Sequence, residues 1–465
     1  MSQSKINIAK SARPRPVSNG VKKISIVGYG RFGKVLCRLL KDDFAITVYS
    51  KGKIDKNELI GDLTVAKDIG EIYKNDVVFF AVPIETFEEV VSTHKKYFNE
   101  RHLLIDVLSV KMHPAEIFKK YLAGTGARAL LTHPMFGPDS STSGFDGLPV
   151  IMDKFTASGE DYNFWKKIFK DKGLTVVEMS PNEHDKLAAD SQGLTHFTGR
   201  LLESYGLKPT PIDSLGTKKL LEVMDQTCHD TWQLFSNLQH YNPYTKKMRV
   251  KLGEKYDELY NKLLPTRVDP TRITYGIQGG YGSFNEEAIL HYIEKNKIGT
   301  HKIMYLHTAE NVMRALHEGE IDVGQMAIHN SVGGMVDESI QAMANYKFKI
   351  VEQFQIKISH ALMICADAEL SEITTIMSHP QVFAQCKETL SRKYPHLKLT
   401  SGDGDLIDHA MVAKELGAKK LPKTVATMGS SILAKLYGLK IVEDNLQDAK
   451  ENYTGFLHVA RVQNF

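Results

Sequence analysis

The chain has 465 residues, of which 42% are hydrophobic and 25% are charged, and its formal net charge is +4. This length allows two or three domains with substantial cores. The small net charge argues against a dedicated nucleic-acid-binding protein, which would concentrate more positive charge on one face. The four cysteines show no paired spacing, so we expect no disulfide framework and no metal site, as in a protein of the reducing cytoplasm. No apolar run approaches the roughly 18–20 residues that cross a bilayer, so no membrane partner is expected.

The N-terminal 20 residues carry four basic side chains and no acidic one. Both a short organellar presequence and a solvated tail can have such a composition. We interpret residues 1–20 as a disordered tail and expect a cytoplasmic protein whose folded part begins at residue 21.

Residues 21–180 alternate short apolar segments with segments of helical periodicity. This alternation predicts a parallel β-sheet covered by helices on both faces. The predicted strands are 24–27, 45–49, 76–82, 103–108, 129–132 and 175–178.

Three glycines follow the first predicted strand and open a helix. In this context Gly28 permits a tight turn, Gly30 lets the backbone approach a pyrophosphate, and Gly33 lets the helix pack closely on the strand. The helix N-terminus then offers free N–H groups to the phosphates. We therefore predict a Rossmann dinucleotide-binding domain over residues 21–180. Its cofactor-binding loop is Gly28, Tyr29, Gly30, Arg31, Phe32 and Gly33.

The end of the second predicted strand indicates which dinucleotide is bound. NAD sites usually place an acidic residue here for the ribose hydroxyls, whereas this chain has Ser50, Lys51 and Lys53 and no acid. A 2′-phosphate would find a hydroxyl donor and two positive charges there. We predict NADP as the cofactor, with NAD as the alternative if both lysines are ordinary solvated side chains.

Residues 181–264 show apolar residues at helical spacing and no strand pattern. They predict an all-helical domain, and its large apolar content suggests a homodimer formed through its helices. Two prolines mark residues 265–271 as a linker. A second α/β region is predicted over residues 272–465, with strands at 273–277, 323–328, 357–365, 373–378, 441–442 and 456–461.

Four motifs of the first part occur in a fixed order. After the glycine loop come Ile-Asp-Val-Leu-Ser-Val-Lys at 105–111, Thr-His-Pro-Met-Phe-Gly-Pro at 132–138, and Glu-His-Asp at 183–185 followed by Ser-Gln-Gly-Leu-Thr-His at 191–196. Over about residues 22–262 they resemble the prephenate/arogenate dehydrogenase family, and the plant-type arogenate enzymes in particular. That family oxidises C4 of a cyclohexadienyl acid with a nicotinamide cofactor while the C1 carboxylate leaves as CO₂.

The resemblance implies roles for particular residues. His133 would be the general base for the 4-hydroxyl, since an imidazole suits that role near neutral pH. Ser109 would hydrogen-bond His133 or that hydroxyl. Gln192 and His196, one helical turn apart, would face the same cleft from the helical domain.

The same resemblance bears on substrate choice. Prephenate carries a keto-acid side chain, and arogenate carries an amino-acid side chain. The carboxylate of Asp230 would pair with the ammonium of arogenate, a bond worth about 1.5–3 kcal/mol. Arg200 is a candidate partner for the ring carboxylate. If Asp230 is only a solvated helix residue, both substrates stay open.

The second α/β region carries its own motifs. They are Gly-Gly-Tyr-Gly-Ser-Phe at 279–284, Ser-His-Pro-Gln at 378–381, and Asn-Tyr-Thr-Gly-Phe at 452–456. These runs resemble the catalytic domain of prephenate dehydratase. The resemblance implies two α/β lobes with the site between them, as in type II periplasmic binding proteins.

Dehydration removes the same 4-hydroxyl, now as water, while CO₂ departs. By the resemblance, Thr454 would donate the proton, and Asn330 and Gln385 would orient the ring. Two of the chain's departures from the family pattern change charged positions: His329 replaces a glutamate, and Gly455 replaces an arginine, which is a natural partner of a carboxylate. A protonated His329, beside Ser331, could supply part of that substrate-binding charge.

We therefore expect a bifunctional enzyme of aromatic amino-acid biosynthesis, in which an NADP-linked arogenate/prephenate dehydrogenase is fused to a prephenate dehydratase-like domain. Its partners would be these small-molecule substrates and no nucleic acid. Two alternatives stay open. The second α/β region could be a degenerate, ligand-binding module that regulates a monofunctional dehydrogenase, or the chain could act on another cyclic hydroxy acid.

Overall fold

The computed structural model describes residue 20 and residues 22–462. The chain divides into two units, Met1–Gly253 and Glu254–Phe465. The expected disordered tail, residues 1–20, lies outside the described residues apart from Gly20. Within the described part of the chain, no helix is both long and apolar enough to cross a membrane.

The first unit contains one eight-stranded sheet. Its strands are β1 (Lys23–Val27), β2 (Ala45–Tyr49), β3 (Thr64–Val65), β4 (Val77–Phe80), β5 (Leu103–Asp106), β6 (Arg128–Pro134), β7 (Pro149–Asp153) and β8 (Thr175–Glu178). They follow the order β3-β2-β1-β4-β5-β6-β7-β8, and neighbours are parallel except for β6 and β7. Because the chain starts in the middle of the sheet and builds outward on both sides, the predicted Rossmann architecture is confirmed.

Helices cover both faces of this sheet. They are α1 (Arg31–Leu40), α2 (Ile69–Ile72), α3 (Phe87–His94), α4 (Met112–Leu122) and α5 (Gly159–Asp171). Side chains of α1 and α5 pack on one face, and those of α3 and α4 pack on the other. Strands β4 and β5 are therefore buried along their full length, which explains their unbroken apolar runs. The sequence did not indicate β3, which has two residues, or β7, which begins with a proline.

The remainder of the first unit is helical, as predicted. The helices are α6 (Pro181–Ala188), α7 (Leu194–Tyr205), α8 (Leu215–Cys228), α9 (Trp232–Tyr241) and α10 (Thr245–Leu263). The side chains of Ser180, Ser214 and Thr231 cap the N-termini of α6, α8 and α9. A π-helical turn, Ala189–Gly193, joins α6 to α7. The division between the two units falls inside α10.

The second unit contains two sheets. Its strands are β9 (Ile273–Gln278), β10 (His301–His307), β11 (Val323–Asn330), β12 (Gly334–Met335), β13 (Lys349–Lys357), β14 (Ala361–Cys365), β15 (Thr375–Met377), β16 (Lys398–Thr400), β17 (Val425–Gly429), β18 (Leu439–Glu443) and β19 (Tyr453–Ala460). One sheet has the order β10-β9-β11-β19-β13, with β12 paired to β11, and the other has the order β16-β15-β17-β14-β18. We call the parts built on these sheets the first and second lobes. The chain passes to the second lobe after β13 and returns after β18, which confirms the predicted two-lobed architecture.

Helices flank both lobes. They are α11 (Phe284–Lys295), α12 (Ala309–Glu318), α13 (Asp337–Ala344), α14 (Pro380–Gln385), α15 (Lys387–Lys393), α16 (His409–Gly417) and α17 (Ile432–Tyr437). The single strand predicted over 357–365 is wrong, because the chain changes lobes within it and forms the end of β13 and then β14. The sequence also missed β10, β13, β16 and β17. Strand β13 is exposed along most of its length, so it lacks the apolar pattern of a core strand.

Two candidate active sites

The glycine loop after β1 leaves space for a ligand. Gly28 has a φ of 103°, and a Cβ there would lie 2.1 Å from the carbonyl oxygen of Ala81; a Cβ on Gly33 would lie 2.1 Å from the carbonyl oxygen of Gly28. At Gly30, by contrast, no atom lies within 4 Å of a Cβ position. No side chain caps the N-terminus of α1, which begins at Arg31. The tight packing on one side and the open, uncapped helix end on the other fit a dinucleotide pyrophosphate.

Two of the predicted cofactor-binding residues support the loop through contacts with the protein. The Tyr29 hydroxyl donates to the carbonyl oxygen of Glu58 at 3.0 Å and accepts from the amide of Ile60 at 3.1 Å. Phe32 packs against Phe136, with ring centroids 6.2 Å apart. Both side chains therefore hold the loop in shape.

The side chains predicted to recognise a 2′-phosphate follow β2. Lys51 and Lys53 are exposed, and Ser50 is half-buried. The ammonium of Lys51 lies 3.9 Å from a carboxylate oxygen of Glu89, a weak surface pair. The structure thus leaves both cations available to a ligand at this edge of the sheet.

His133 lies at the carboxyl end of β6 and is 3% exposed. Its Nδ1 is 2.8 Å from Nε2 of His184, and Nδ1 of His184 is 2.7 Å from Oδ1 of Asp185. The Asp185 carboxylate also accepts the amides of Lys111 at 2.7 Å and Met112 at 2.9 Å. Burial, with His184 and Lys111 nearby, holds the pKa of His133 well below its usual range. His133 is therefore a neutral imidazole at neutral pH.

A buried ammonium lies beneath His133. Lys111 Nζ donates to a carboxylate oxygen of Asp106 and to the carbonyl oxygen of Thr132, the residue before His133. Both partners of the Lys111–Asp106 pair are almost fully buried. The pair fixes the ends of β5 and β6, where the sheet presents the predicted site.

Three of the predicted dehydrogenase residues carry buried polar atoms without a hydrogen-bond partner among the described residues. They are Oγ of Ser109, Oε1 of Gln192 and Nδ1 of His196. Buried polar atoms are normally satisfied, so these three atoms are candidates for contacts with a substrate. The predicted bond between Ser109 and His133 is not formed. Gln192 lies in the π-helical turn, a distortion that often accompanies functional sites.

The proposed substrate selector is already paired. Asp230 Oδ1 accepts from Nη1 of Arg31 at 3.1 Å, and Nη2 of Arg31 is 3.1 Å from Asp139. Arg200 donates to the carbonyl oxygen of Asp230 and lies 3.0 Å from Glu203. Arg31 thus joins the cofactor loop to the turn that carries Asp230.

The second unit has a cleft of about 1200 Å³ lined by both lobes. Asn330, Gln385 and Thr454 all line it, as predicted for a shared site. Its charged lining residues are Glu338, Asp408 and Lys414, and the described lining includes no arginine.

Asn330 aligns the Thr454 hydroxyl. Its Oδ1 accepts the amides of Val332 at 2.9 Å and Gly333 at 2.7 Å, so the orientation of the side-chain amide is fixed. Its Nδ2 then donates to Thr454 Oγ1 at 2.9 Å and to Asn452 Oδ1 at 2.7 Å. Because the Thr454 oxygen accepts this bond, its own proton is free to be donated.

Gln385 is held in a similar way from the second lobe. Its Oε1 accepts from Nε2 of His360 at 2.7 Å and from Nδ2 of Asn452 at 3.0 Å. Both bonds use the oxygen, so the amide nitrogen of Gln385 remains a donor for the cleft. The network links the two lobes across the site.

The two positions that depart from the family pattern lie outside this network. His329 is exposed and pairs across the strands with Gly455, whereas Asn330 pairs with Thr454. Because neighbouring residues of a strand point to opposite faces, His329 and Gly455 share the face that points away from the cleft side chains. Ser331 is also outside the cleft lining, and its hydroxyl donates to the carbonyl oxygen of Glu451 at 3.0 Å.

The sequence interpretation missed two histidines of the cleft, His360 and His409. Burial lowers the pKa of both, to about 4 for His409. Neither ring nitrogen of His409 has a hydrogen-bond partner among the described residues. Isolated histidines outside the recognised motifs gave no signal from which this placement could be predicted.

Comparison with known proteins agrees with this geometry. Residues 45–178 match the family described as prephenate dehydrogenase, nucleotide-binding domain. Residues 201–272 match the TYRAAT1-like C-terminal domain, and residues 275–464 match prephenate dehydratase.

Relatives among characterised proteins match each half. The chain is 33% identical over 251 residues to arogenate dehydrogenase 2 of Arabidopsis thaliana, and the match covers 52% of this chain and 70% of that protein. The chain belongs to the prephenate/arogenate dehydrogenase family. It is also 32% identical over 250 residues to arogenate dehydrogenase 1 of the same plant, covering 52% of this chain and 39% of that protein. A bifunctional chorismate mutase/prephenate dehydratase of Buchnera aphidicola is 29% identical over 237 residues, covering 49% of this chain and 55% of that protein.

The chain thus joins a prephenate dehydrogenase nucleotide-binding domain to a prephenate dehydratase domain. His133 and Ser109 fall within the matched dehydrogenase range, and Asn330, Gln385 and Thr454 fall within the dehydratase range. The dehydrogenase unit implies a nicotinamide dinucleotide as cofactor, which the glycine loop fits.

Proposed function

We propose that this chain is a bifunctional enzyme of aromatic amino-acid biosynthesis. Its first unit would carry out the oxidative decarboxylation of arogenate or prephenate, and its second unit the decarboxylating dehydration of prephenate or arogenate. The observation that carries the proposal is that one chain holds both an oriented base at His133 and an oriented proton donor at Thr454. Each group is held by side chains that leave its reactive atom free.

In the first unit, His133 would polarise the 4-hydroxyl of the substrate. A nicotinamide dinucleotide held by the glycine loop would supply the acceptor for the hydride of C4. As C4 gains carbonyl character, the hydroxyl proton shifts towards His133, and it returns to the oxygen when the C1 carboxylate leaves as CO₂ and the ring becomes aromatic. The unpaired Ser109, Gln192 and His196 atoms would bind the hydroxyl and carboxylate groups of the substrate.

We infer that the cofactor is NADP. The support is the exposed pair Lys51 and Lys53 with Ser50 after β2, where an acidic residue would otherwise bind the ribose. NAD would bind the same glycine loop but gain nothing from these charges.

Arogenate is the substrate that Asp230 would favour, through a charge-assisted bond to its ammonium. In the structure Asp230 pairs with Arg31, so substrate binding would require this ion pair to open or to be shared. Arg200, which bonds the backbone at Asp230, would meet a substrate carboxylate from the same side.

In the second unit, Thr454 would protonate the departing 4-hydroxyl. The C4–O bond breaks as water forms, the C1 carboxylate leaves as CO₂, and its bonding electrons enter the ring. Solvent returns the proton to Thr454. Asn330 would hold the hydroxyl oxygen of Thr454. The side-chain amide of Gln385 would donate a hydrogen bond to the substrate.

A second candidate function follows from the lining of the cleft. The described lining includes no arginine to bind the two substrate carboxylates. A cleft with Glu338 and Asp408 suits a ligand that carries an ammonium. The second unit would then be a regulatory domain that binds an aromatic amino acid.

We also propose that the protein is a homodimer formed through its helical region. Large apolar side chains on α7, α8, α9 and α10 and on the loop before α8 are exposed, although such residues are normally covered in a soluble oligomer. A second copy of the same surface would cover them, as in a twofold dimer. They are Leu201, Tyr205, Ile212, Leu215, Leu220, Trp232 and Val250.

Purified full-length protein tests the two candidate functions of the second unit. Incubation with prephenate or arogenate but without a nicotinamide should yield phenylpyruvate or phenylalanine. A protein that yields neither product, but melts at a higher temperature with phenylalanine or tyrosine, would be a dehydrogenase with a regulatory domain.

A further inference from the structure

Behind His133 lies a chain of two hydrogen bonds that the proposed reaction does not yet explain. It runs from Nδ1 of His133 to Nε2 of His184 over 2.8 Å, and from Nδ1 of His184 to Oδ1 of Asp185 over 2.7 Å. All three side chains are buried, with at most 3% of their surface exposed. These two hydrogen bonds connect the end of β6 to α6, at the start of the helical region.

The direction of each bond follows from Asp185. Its two carboxylate oxygens both act as hydrogen-bond acceptors, for the amides of Lys111 and Met112. Nδ1 of His184 must therefore donate to Asp185. A neutral His184 then has a bare Nε2, which accepts from Nδ1 of His133. A neutral His133 in turn has a bare Nε2, and this is the atom that a base must present.

We propose that His184 and Asp185 are positioning residues that fix His133 in its Nδ1–H tautomer and stabilise the positive charge it gains during the reaction. This inference rests on the proposed dehydrogenase activity of the first unit. A carboxylate behind a catalytic imidazole has this effect in serine proteases, where it orients the ring and stabilises the imidazolium. Here the effect passes through a second imidazole.

The surrounding charges make this support necessary. The Lys111 ammonium faces both imidazoles and, together with burial, lowers the pKa of each. The charge of Lys111 is balanced by its ion pair with Asp106, and the carboxylate of Asp153 also raises the pKa of Lys111. Asp185 opposes the loss of basicity at His184, because its bond raises the pKa of that ring. Without Asp185, the positive charge that His133 gains would lose the carboxylate that offsets it through His184.

The tautomers can be read without any turnover. Full-length protein with ¹⁵N-labelled histidine, compared with His133→Asn and His184→Gln variants for assignment, gives the ring-nitrogen shifts of both residues. We expect protonated Nδ1 and bare Nε2 in both rings at pH 7.5. A His133 that carries its proton on Nε2 would overturn the inference, even in a fully active dehydrogenase.

Kinetics test the second part of the proposal. Asp185→Asn keeps an acceptor for His184 but removes the charge, so we expect kcat to fall by about 10–10³-fold while KM and NADP binding change little. The acidic limb of the kcat profile should also move to lower pH. A purely structural role would instead lower the folded fraction and leave that limb in place.

Matched variants guard against misfolding. His184→Gln keeps both an acceptor for His133 and a donor for Asp185 and should retain most of the activity, whereas His184→Phe keeps neither and should lose it. His94→Gln is the control. His94 is also buried, and its Nδ1 lies 2.7 Å from the hydroxyl of Tyr73, outside the predicted site. Equal losses in His184→Gln and His184→Phe would contradict the proposal. An inactive wild-type protein with the expected tautomers would refute the dehydrogenase function and leave the hydrogen-bond chain standing.

Discussion

At the residue scale, the proposed choice of NADP rests on the side chains that follow β2. Lys51→Ala with Lys53→Ala removes the two charges that would meet a 2′-phosphate, so NADP should bind about 10–100-fold more weakly, as expected when one or two charge-assisted bonds are lost. NAD binding should change little. Fluorescence titration with both dinucleotides measures this.

Lys74→Ala with Lys96→Ala is a control of equal charge change, because these exposed lysines lie outside the glycine loop and the end of β2. Equal use of NADP and NAD by the unmodified protein would contradict the assignment of NADP.

The proposed preference for arogenate also rests on a single side chain, Asp230. Asp230→Asn removes the carboxylate that would hold the ammonium of arogenate, and it also removes one of the two ion pairs of Arg31, which keeps its pair with Asp139. The ratio of kcat/KM for arogenate to that for prephenate should fall by about 10–100-fold, since a bond to a charged group contributes about 1.5–3 kcal/mol. Steady-state rates with the two substrates measure this ratio.

Asp225→Asn is the matched control, because Asp225 lies near the end of α8, five residues before Asp230, and forms an ion pair with the exposed His229. An unchanged ratio in Asp230→Asn would show that Asp230 does not select the substrate.

The sequence drew attention to the proposed reactive residues but not to the side chains that support them. His133 and Thr454 stand inside motifs, and the structure brings Thr454 together with Asn330 and Gln385 in one cleft. The roles of His184 and Asp185 could not be predicted, although their motif was recognised, because the bond from His133 joins residues 51 positions apart. Such a contact depends on how α6 packs at the end of β6, and local pattern carries no information about that packing.

At the element scale, the pairing of β11 with β19 explains why the chain can depart twice from the family pattern. His329 and Gly455 are cross-strand partners on the face away from Asn330 and Thr454. A glutamate and an arginine at these positions would form an ion pair with each other. The two substitutions therefore remove one surface pair together and leave the cleft side chains in place.

Restoring that pair should affect stability more than rate. In the variant with His329→Glu and Gly455→Arg, the free energy of unfolding should rise by about 0.2–1 kcal/mol, the usual contribution of a cross-strand charge pair. The dehydratase rate should stay within about twofold. Urea unfolding and phenylpyruvate formation measure the two effects, with Gly455→Arg alone as the control. A large rise in rate would show that one of these positions reaches the substrate.

Among the strands that the sequence predicted, β4 and β5 show the clearest signal, a continuous apolar run buried by helices. Two of the missed strands, β13 and β16, lack this signal. Strand β13 is exposed and polar along most of its length, and β16 has three residues. The change of lobe after β13 could not be predicted either, because the apolar residues at the end of β13 and those of β14 form one nearly continuous apolar segment in the sequence.

At the scale of the whole molecule, buried histidines make both units sensitive to acid. Burial lowers the pKa of His94 in the first unit and of His458 in the second to about 4. Between pH 6.5 and 4 the unfolded chain therefore binds protons that the folded chain cannot. Stability should fall as the pH falls through this range, by up to about 1.4 kcal/mol per pH unit for each such histidine.

Thermal unfolding between pH 7.5 and 4.5 tests this expectation. His458→Gln should flatten the pH dependence of the second unit's transition, because its proton uptake is removed. The exposed His396→Gln is the control and should leave the slope unchanged. A second unit whose unfolding temperature does not depend on pH in this range would contradict the argument.

The central claim is that two separate catalytic centres act on one chain. The measurement that tests it most directly follows NADPH and the two aromatic products in parallel for the full-length protein and for His133→Asn and Thr454→Ala. With arogenate and prephenate as substrates, we expect His133→Asn to lose only the NADP-dependent product, by about 10²–10⁴-fold, and Thr454→Ala to lose only the dehydration product. A wild-type protein without either activity, or one substitution that abolishes both in folded protein, would contradict the account.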